Sequence, residues 1–157
     1  MLFHVSVAAR DPRHVAEVIA ELWGGEAFPF PPISDNGWVA VAGDDRGTTM
    51  EVYPHDIVLR ETPGDADGHG ERAEVCPYTA THAAIATDMT REQVLALARR
   101  EGWPAKYRKR GGQFGVIELW VEGRLMIEVL TPEMQAEYVA TATITNMKQL
   151  MAALAPV

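Results

Sequence analysis

Two histidines and two glutamates stand at matching places in this chain. His4 and Glu51 are 47 positions apart, and His82 and Glu128 are 46 apart. Each histidine precedes a glycine, Gly24 or Gly102, by 20 positions. All four interrupt short runs of apolar or small residues: Phe3-His4-Val5, Met50-Glu51-Val52, His82-Ala83-Ala84 and Ile127-Glu128-Val129. A carboxylate inside such a run is costly to bury unless it has a partner. Two imidazoles and two carboxylates brought together form a mixed nitrogen and oxygen set for a divalent cation: zinc, nickel, cobalt, iron or manganese, with positions left for water or substrate. The carboxylates neutralise the dication and remove the burial penalty. With 5 His and 22 Asp plus Glu in 157 residues, one such pair matches at a fixed alignment with a chance of about 0.004, rising to roughly a few per cent with slack in the register. Chance is a weak explanation of the pattern.

The elements that must position these residues repeat as well. Leu2 to Ala8 alternates as a strand, with Phe3, Val5 and Val7 on one face and His4, Ser6 and Ala8 on the other. Asp11-Pro12 reads as a helix cap followed by proline at the first helical position. Val15, Val18, Ile19 and Leu22 recur at helical spacing until Gly24-Gly25 stops the helix. The proline-rich Phe28 to Pro32 can form only an edge or irregular strand. Gly37 to Ala42 and Thr48 to Tyr53 are two more strands, joined by the turn residues Gly43 to Gly47. In the second half, Thr81 to Thr87 is a strand, and Thr90 with Gln93 makes a capping box for a helix over Arg91 to Glu101. Strands over Pro104 to Arg110, Phe114 to Val121 and Arg124 to Leu130 follow. Each half is thus β-α-β-β-β. The expected organisation is a first module at 1–53, a linker or exposed loop at 54–78, a second module at 79–131 and a helical tail at 132–157. The tail offers Val139, Ile144, Met147, Leu150 and Met151 to cover apolar surface, on the core or on a partner subunit.

Bulk properties narrow the function classes. A net charge of −8 argues against nucleic acid and anionic membranes as partners. No apolar run reaches the length of a membrane span, and the N-terminus lacks the pattern of a signal peptide. A single cysteine, Cys76, excludes an internal disulfide and fits a reducing cytoplasm. The basic cluster Lys106 to Arg110 reads as a solvated strand end and turn. Asp65 to Gly70 resembles the opening of a calcium loop, but its twelfth position is Cys76, so that reading is rejected. His14, His55 and His69 read as solvated. Trp38 and Trp120, each on the third strand of its half, suit either a substrate cavity or the core.

The paired β-α-β-β-β modules, with His4, Glu51, His82 and Glu128 in order, resemble the vicinal oxygen chelate superfamily and its glyoxalase I branch. The likeness covers roughly 2–131 and rests on topology, on Met126-Ile127-Glu128-Val129 and on His4 lying seven residues before Asp11. It implies an α+β fold of curved mixed sheets enclosing a metal cavity, with all four residues as ligands to a divalent metal: nickel, cobalt or zinc first, iron or manganese next. It also implies a lyase or isomerase acting on a small carbonyl compound through an enediolate, with Glu128 moving the proton and Glu51 as a second candidate. Relatives of this kind often share sites across a homodimer, so that His4 and Glu51 of one chain meet His82 and Glu128 of the other. The long 54–78 stretch would alternatively let both modules of one chain close on each other. Two other readings share the fold: extradiol ring cleavage with His4, His82 and Glu128 as an iron triad, and metal-free drug sequestration of the bleomycin-resistance type. Glu51 counts against the first, and four filled ligand positions count against the second.

Overall fold

The computed structural model describes residues 3–63, 67–76 and 79–154. The first module runs β1 (His4–Ala9), α1 (Pro12–Trp23), β2 (Glu26–Pro29), β3 (Trp38–Val41) and β4 (Thr49–Pro54). A hairpin, β5 (Ile57–Arg60) and β6 (His69–Arg72), follows. The second module is β7 (Ala83–Ala86), α2 (Arg91–Glu101), β8 (Ala105–Arg110), β9 (Phe114–Val121) and β10 (Leu125–Leu130). Two helices close the chain, α3 (Pro132–Thr141) and α4 (Ile144–Leu154). The expected β-α-β-β-β repeat is present in both halves, in an α+β molecule.

The two sheets have the same order, β1-β4-β3-β2 and β7-β10-β9-β8. In each, the first strand lies parallel to the last and forms the sheet edge. Local sequence sets the helix ends. The Asp11 carboxylate accepts from the His14 backbone N–H, and Pro12 stands where a missing N–H costs nothing. Thr90 and Gln93 bond each other's backbone N–H groups in the expected capping box. Gly24 and Gly102 end the two helices at φ 66° and 67°, a left-handed turn that a side chain would oppose.

One hydrophobic cluster spans both modules. It joins Val15, Val18, Ile19 and Leu22 of α1 and Met50 and Val52 of β4 to Val94 and Leu97 of α2 and Leu119, Ile127 and Val129 of β9 and β10. Polar contacts lock the junction. Glu122, in the turn between β9 and β10, accepts from the backbone N–H groups of Arg10 (2.7 Å) and Asp11 (2.9 Å). Arg100 forks onto Glu21 at 2.9 and 2.6 Å, which holds the Glu21 carboxyl below its usual range. His14 Nε2 lies 2.7 Å from Glu101, with its ring edge-on to Trp103. His14 is therefore engaged at the junction, although half exposed, rather than merely solvated.

Several expectations change. The 54–78 stretch carries the β5–β6 hairpin, whose strands pair from Ile57↔Arg72 to Arg60↔His69, where a loop was expected. The strand expected over Phe28 to Pro32 runs instead over Glu26–Pro29 and stops before Pro31 and Pro32, which supply no ladder donor. Residues 65 and 66 of the rejected calcium loop lie outside the described residues. Helix α3 packs on the second module: Met134 is buried, Gln135 Nε2 donates to the Thr87 and Leu130 carbonyls, and Tyr138 meets Phe114 edge-on. Helix α4 leaves Ile144, Met147 and Met151 exposed. Among the described residues, no helix is long and apolar enough to cross a membrane.

Candidate metal centre

Parallel pairing explains how each half brings its histidine toward its glutamate. His4 is aligned with Thr49, and Ser6 with Glu51, so His4 and Glu51 are diagonal neighbours on one face of the sheet. Ala84 is aligned with Glu128. His82 precedes Ala83, whose partner is Ile127, so it lies just outside the strand, in line with Met126. The two halves therefore offset their pairs by the same step.

The first pair is close and oriented. His4 Nε2 stands 4.0 Å from Glu51 Oε1, with His4 exposed and Glu51 mostly covered. The other carboxylate oxygen, Oε2, accepts from Ser6 Oγ at 2.7 Å and Tyr53 Oη at 2.9 Å. Burial, and then the bond to Glu51, push the Tyr53 phenol above its ordinary value of 10, so it remains a donor at neutral pH. Two donors each 2.0–2.2 Å from a common ion span up to about 4 Å, so this pair fits as half of a metal site. His4 also borders a cavity of about 600 Å³ between the edge strands β1 and β7, lined by Trp23, Met50 and residues 83–88.

The second pair is arranged differently. His82 is exposed, and its Nδ1 lies 3.2 Å from the Ala80 carbonyl. A carbonyl only accepts, so Nδ1 is the donor in this contact. Glu128 is on the interior strand β10, directly opposite Glu118 of β9. Both carboxylates meet Arg110: its guanidinium donates to Glu128 Oε1 through Nε (3.1 Å) and Nη2, and Nη2 lies 2.8 Å from Glu118 Oε1. These bonds, that to Glu128 foremost, hold the Arg110 proton more tightly than usual.

Within one chain, among the described residues, no three His, Cys, Asp or Glu side chains converge as a metal would need. His4 and Glu51 come together; His82 and Glu128 are not within ion-pair distance of each other or of the first pair. One chain therefore presents two separate two-donor halves. The first fits a divalent cation as it stands. The second fits only with Glu128 drawn off Arg110.

Strand alternation brings further residues to the same faces. Ser6 and Tyr53 lie two residues from His4 and Glu51, and so on the same faces. Lys106, Arg108 and Arg110 alternate along β8 and share the Glu118 and Glu128 face, so the cluster is a strand that meets acids rather than a solvated end and turn. Trp38 and Trp120 are not equivalent. Trp38, aligned with Val52, packs half-buried against the core beneath Arg13, whereas Trp120 is aligned with Met126 on the Glu128 face.

Duplicated β-α-β-β-β modules with matched sheets make up the vicinal oxygen chelate fold. The chain has this fold. Its structure is similar to that of the trypanothione-dependent glyoxalase I of Leishmania major, with a TM-score of 0.52 and 16% identity over 97% of this chain and 98% of that one. A possible glyoxalase from Bacillus cereus aligns over 82% of this chain and 96% of its own at 14% identity, with a TM-score of 0.46. No family model and no curated protein matches the chain.

Proposed function

We propose that the protein is a divalent-metal-dependent lyase or isomerase of glyoxalase type, acting on a small carbonyl compound, with each metal held between two chains of a homodimer. The observation that carries this reading is the equal offset of His4 from Glu51 and of His82 from Glu128 on two sheets of identical order. Two half-sites of matching strand register, kept apart in one chain, suit completion by a second copy: His4 and Glu51 from one, His82 and Glu128 from the other. Nickel, cobalt or zinc suits two imidazoles and two carboxylates, with iron or manganese next.

A bound dication supplies Lewis-acid polarisation of the substrate's neighbouring oxygens. The protein's own groups do the rest. Ser6 and Tyr53 occupy one oxygen of Glu51 and aim the other toward His4, which suits Glu51 to holding rather than to proton transfer. Glu128 is the candidate base, moving a proton between adjacent carbons. His82, with Nδ1–H turned to the Ala80 carbonyl, presents Nε2 as a donor.

The test is thermal. Chelator treatment should lower the melting temperature, and nickel, cobalt or zinc should restore it by mass action. His82→Ala should lose that restoration, whereas Glu128→Gln should keep the fold and lose turnover. An unchanged melting curve on chelation and re-addition, with no metal by elemental analysis, contradicts the reading.

A further inference from the structure

A second cavity, of about 290 Å³, lies between the modules beside the hydroxyls that hold Glu51. Ser6 is aligned with Glu51 and Ala8 with Tyr53 on the parallel strands β1 and β4, and Ser6, Ala8 and Tyr53 line the cavity. Strand β5 supplies an apolar wall through Ile57, Val58 and Leu59, the last two exposed. The second module adds Arg124 and the buried Leu125. His4, Glu51, His82 and Glu128 are not among the residues that line it, so this cavity is separate from the proposed metal centre.

One contact defines the chemistry at its polar end. Arg124 Nη1 lies 2.9 Å from His55 Nδ1, and a guanidinium only donates, so Nδ1 is the acceptor. An imidazole that accepts at Nδ1 carries its proton on Nε2. Among the described residues, that Nε2–H has no hydrogen-bond partner. Both groups are tied in place: the His55 backbone N–H donates to the Ala9 carbonyl at 2.9 Å, and Arg124 Nη2 donates to the Cys76 carbonyl. The histidine expected to be solvated is thus a held donor in the wall of a cavity, with a guanidinium beside it. Ser6 Oγ and Tyr53 Oη have given their protons to Glu51 and have none left for an anion. Glu74 also borders the cavity, exposed to water that screens its charge.

We infer that this cavity is a binding site for a small aliphatic carboxylic acid. The carboxylate accepts from His55 Nε2–H beside the Arg124 charge, and the hydrocarbon chain lies along Ile57, Val58 and Leu125. Volume bounds the chain. At the roughly 30 Å³ that a water-sized group takes in a liquid, a cavity of about 290 Å³ holds about ten non-hydrogen atoms, as in octanoate. The site goes beyond the proposed metal-dependent activity and does not rest on it.

Calorimetry on the full-length protein, with chelator present throughout, tests this with octanoate and with octanol as the uncharged control. Wild type should bind octanoate about tenfold more tightly than octanol, the worth of one hydrogen bond to a charged group. Ala8→Trp puts a large side chain into the cavity from an exposed position and should lose binding of both probes. His55→Asn keeps a carbonyl to accept from Arg124 but lacks Nε2–H. It should lose the preference for octanoate while binding octanol as before. Ala8→Phe serves if circular dichroism shows that the tryptophan variant fails to fold. No octanoate binding by wild type overturns the inference, as do equal affinities for acid and alcohol. Octanoate binding that survives the Ala8 substitution, or a preference that survives His55→Asn, overturns it too. Each of these failures leaves the proposed function standing, because no metal takes part in the measurement.

Discussion

Glu122 offers a direct test of how the modules are joined. Its carboxylate takes the backbone N–H groups of Arg10 and Asp11, at the entry to α1, and the Arg10 guanidinium reaches back to the Glu122 carbonyl. The side chain is only 10% exposed. A hydrogen bond to a charged acceptor is worth about 1.5–3 kcal/mol net, so removing both by Glu122→Ala should cost about 3 kcal/mol, allowing for water reaching the freed N–H groups. Glu122 is also the one described non-glycine residue with positive φ, at 51°. Alanine inherits that strain, whereas glycine relieves about 1 kcal/mol of it. Glu122→Gly should therefore be destabilised by about 2 kcal/mol, less than alanine although it removes more atoms. Urea unfolding followed by circular dichroism measures both, with the midpoint moving and the slope unchanged. An alanine variant within about 0.5 kcal/mol of wild type, or a glycine variant less stable than alanine, would refute the clamp.

Other consequences follow from single contacts. Ile127, fully buried on β10 between β7 and β9, should cost about 2–5 kcal/mol on truncation to alanine, read by the same denaturation assay. Glu137 accepts from Lys109 Nζ (2.6 Å) and the Gly115 N–H (2.7 Å), which hold its carboxyl below the ordinary value of 4.5. A depressed carboxyl contributes stability above its unfolded pKa and loses it as pH falls through the folded one. The stability gap between wild type and Glu137→Gln, followed by melting temperature, should therefore narrow as pH drops below about 4.5; a constant gap would show that the ion pair does not hold α3 in place.

Most of the fold was legible because local and tertiary signals agree. Asp11-Pro12, the Thr90/Gln93 box and the two terminal glycines each set a helix end by local bonding, and strict alternation fixed the faces of β1, β9 and β10. The hairpin at 57–72 is not legible in the sequence because prolines, glycines and charges dominate its surroundings and only Ile57, Val58 and Leu59 signal a strand. The equal offset of each histidine from its glutamate was legible from the repeat, since equal spacing becomes equal register once β1 and β7 run parallel to β4 and β10. Arg110 was not, because its role depends on strand register across β8, β9 and β10, which a one-dimensional charge pattern does not carry. The different surroundings of Trp38 and Trp120 were hidden for the same reason: equal strand rank is not equal register.

The central claim, that two chains complete each metal site, is tested most directly by mixing lesions. His4→Ala and Glu128→Ala proteins are prepared separately, each expected to bind no metal, and are then unfolded and refolded together. In a mixed dimer with shared sites, one site collects both lesions and the other is whole, so metal binding should return in the mixed species alone. Mixed dimer that is isolated, shown to contain both chains and still free of metal would contradict the account.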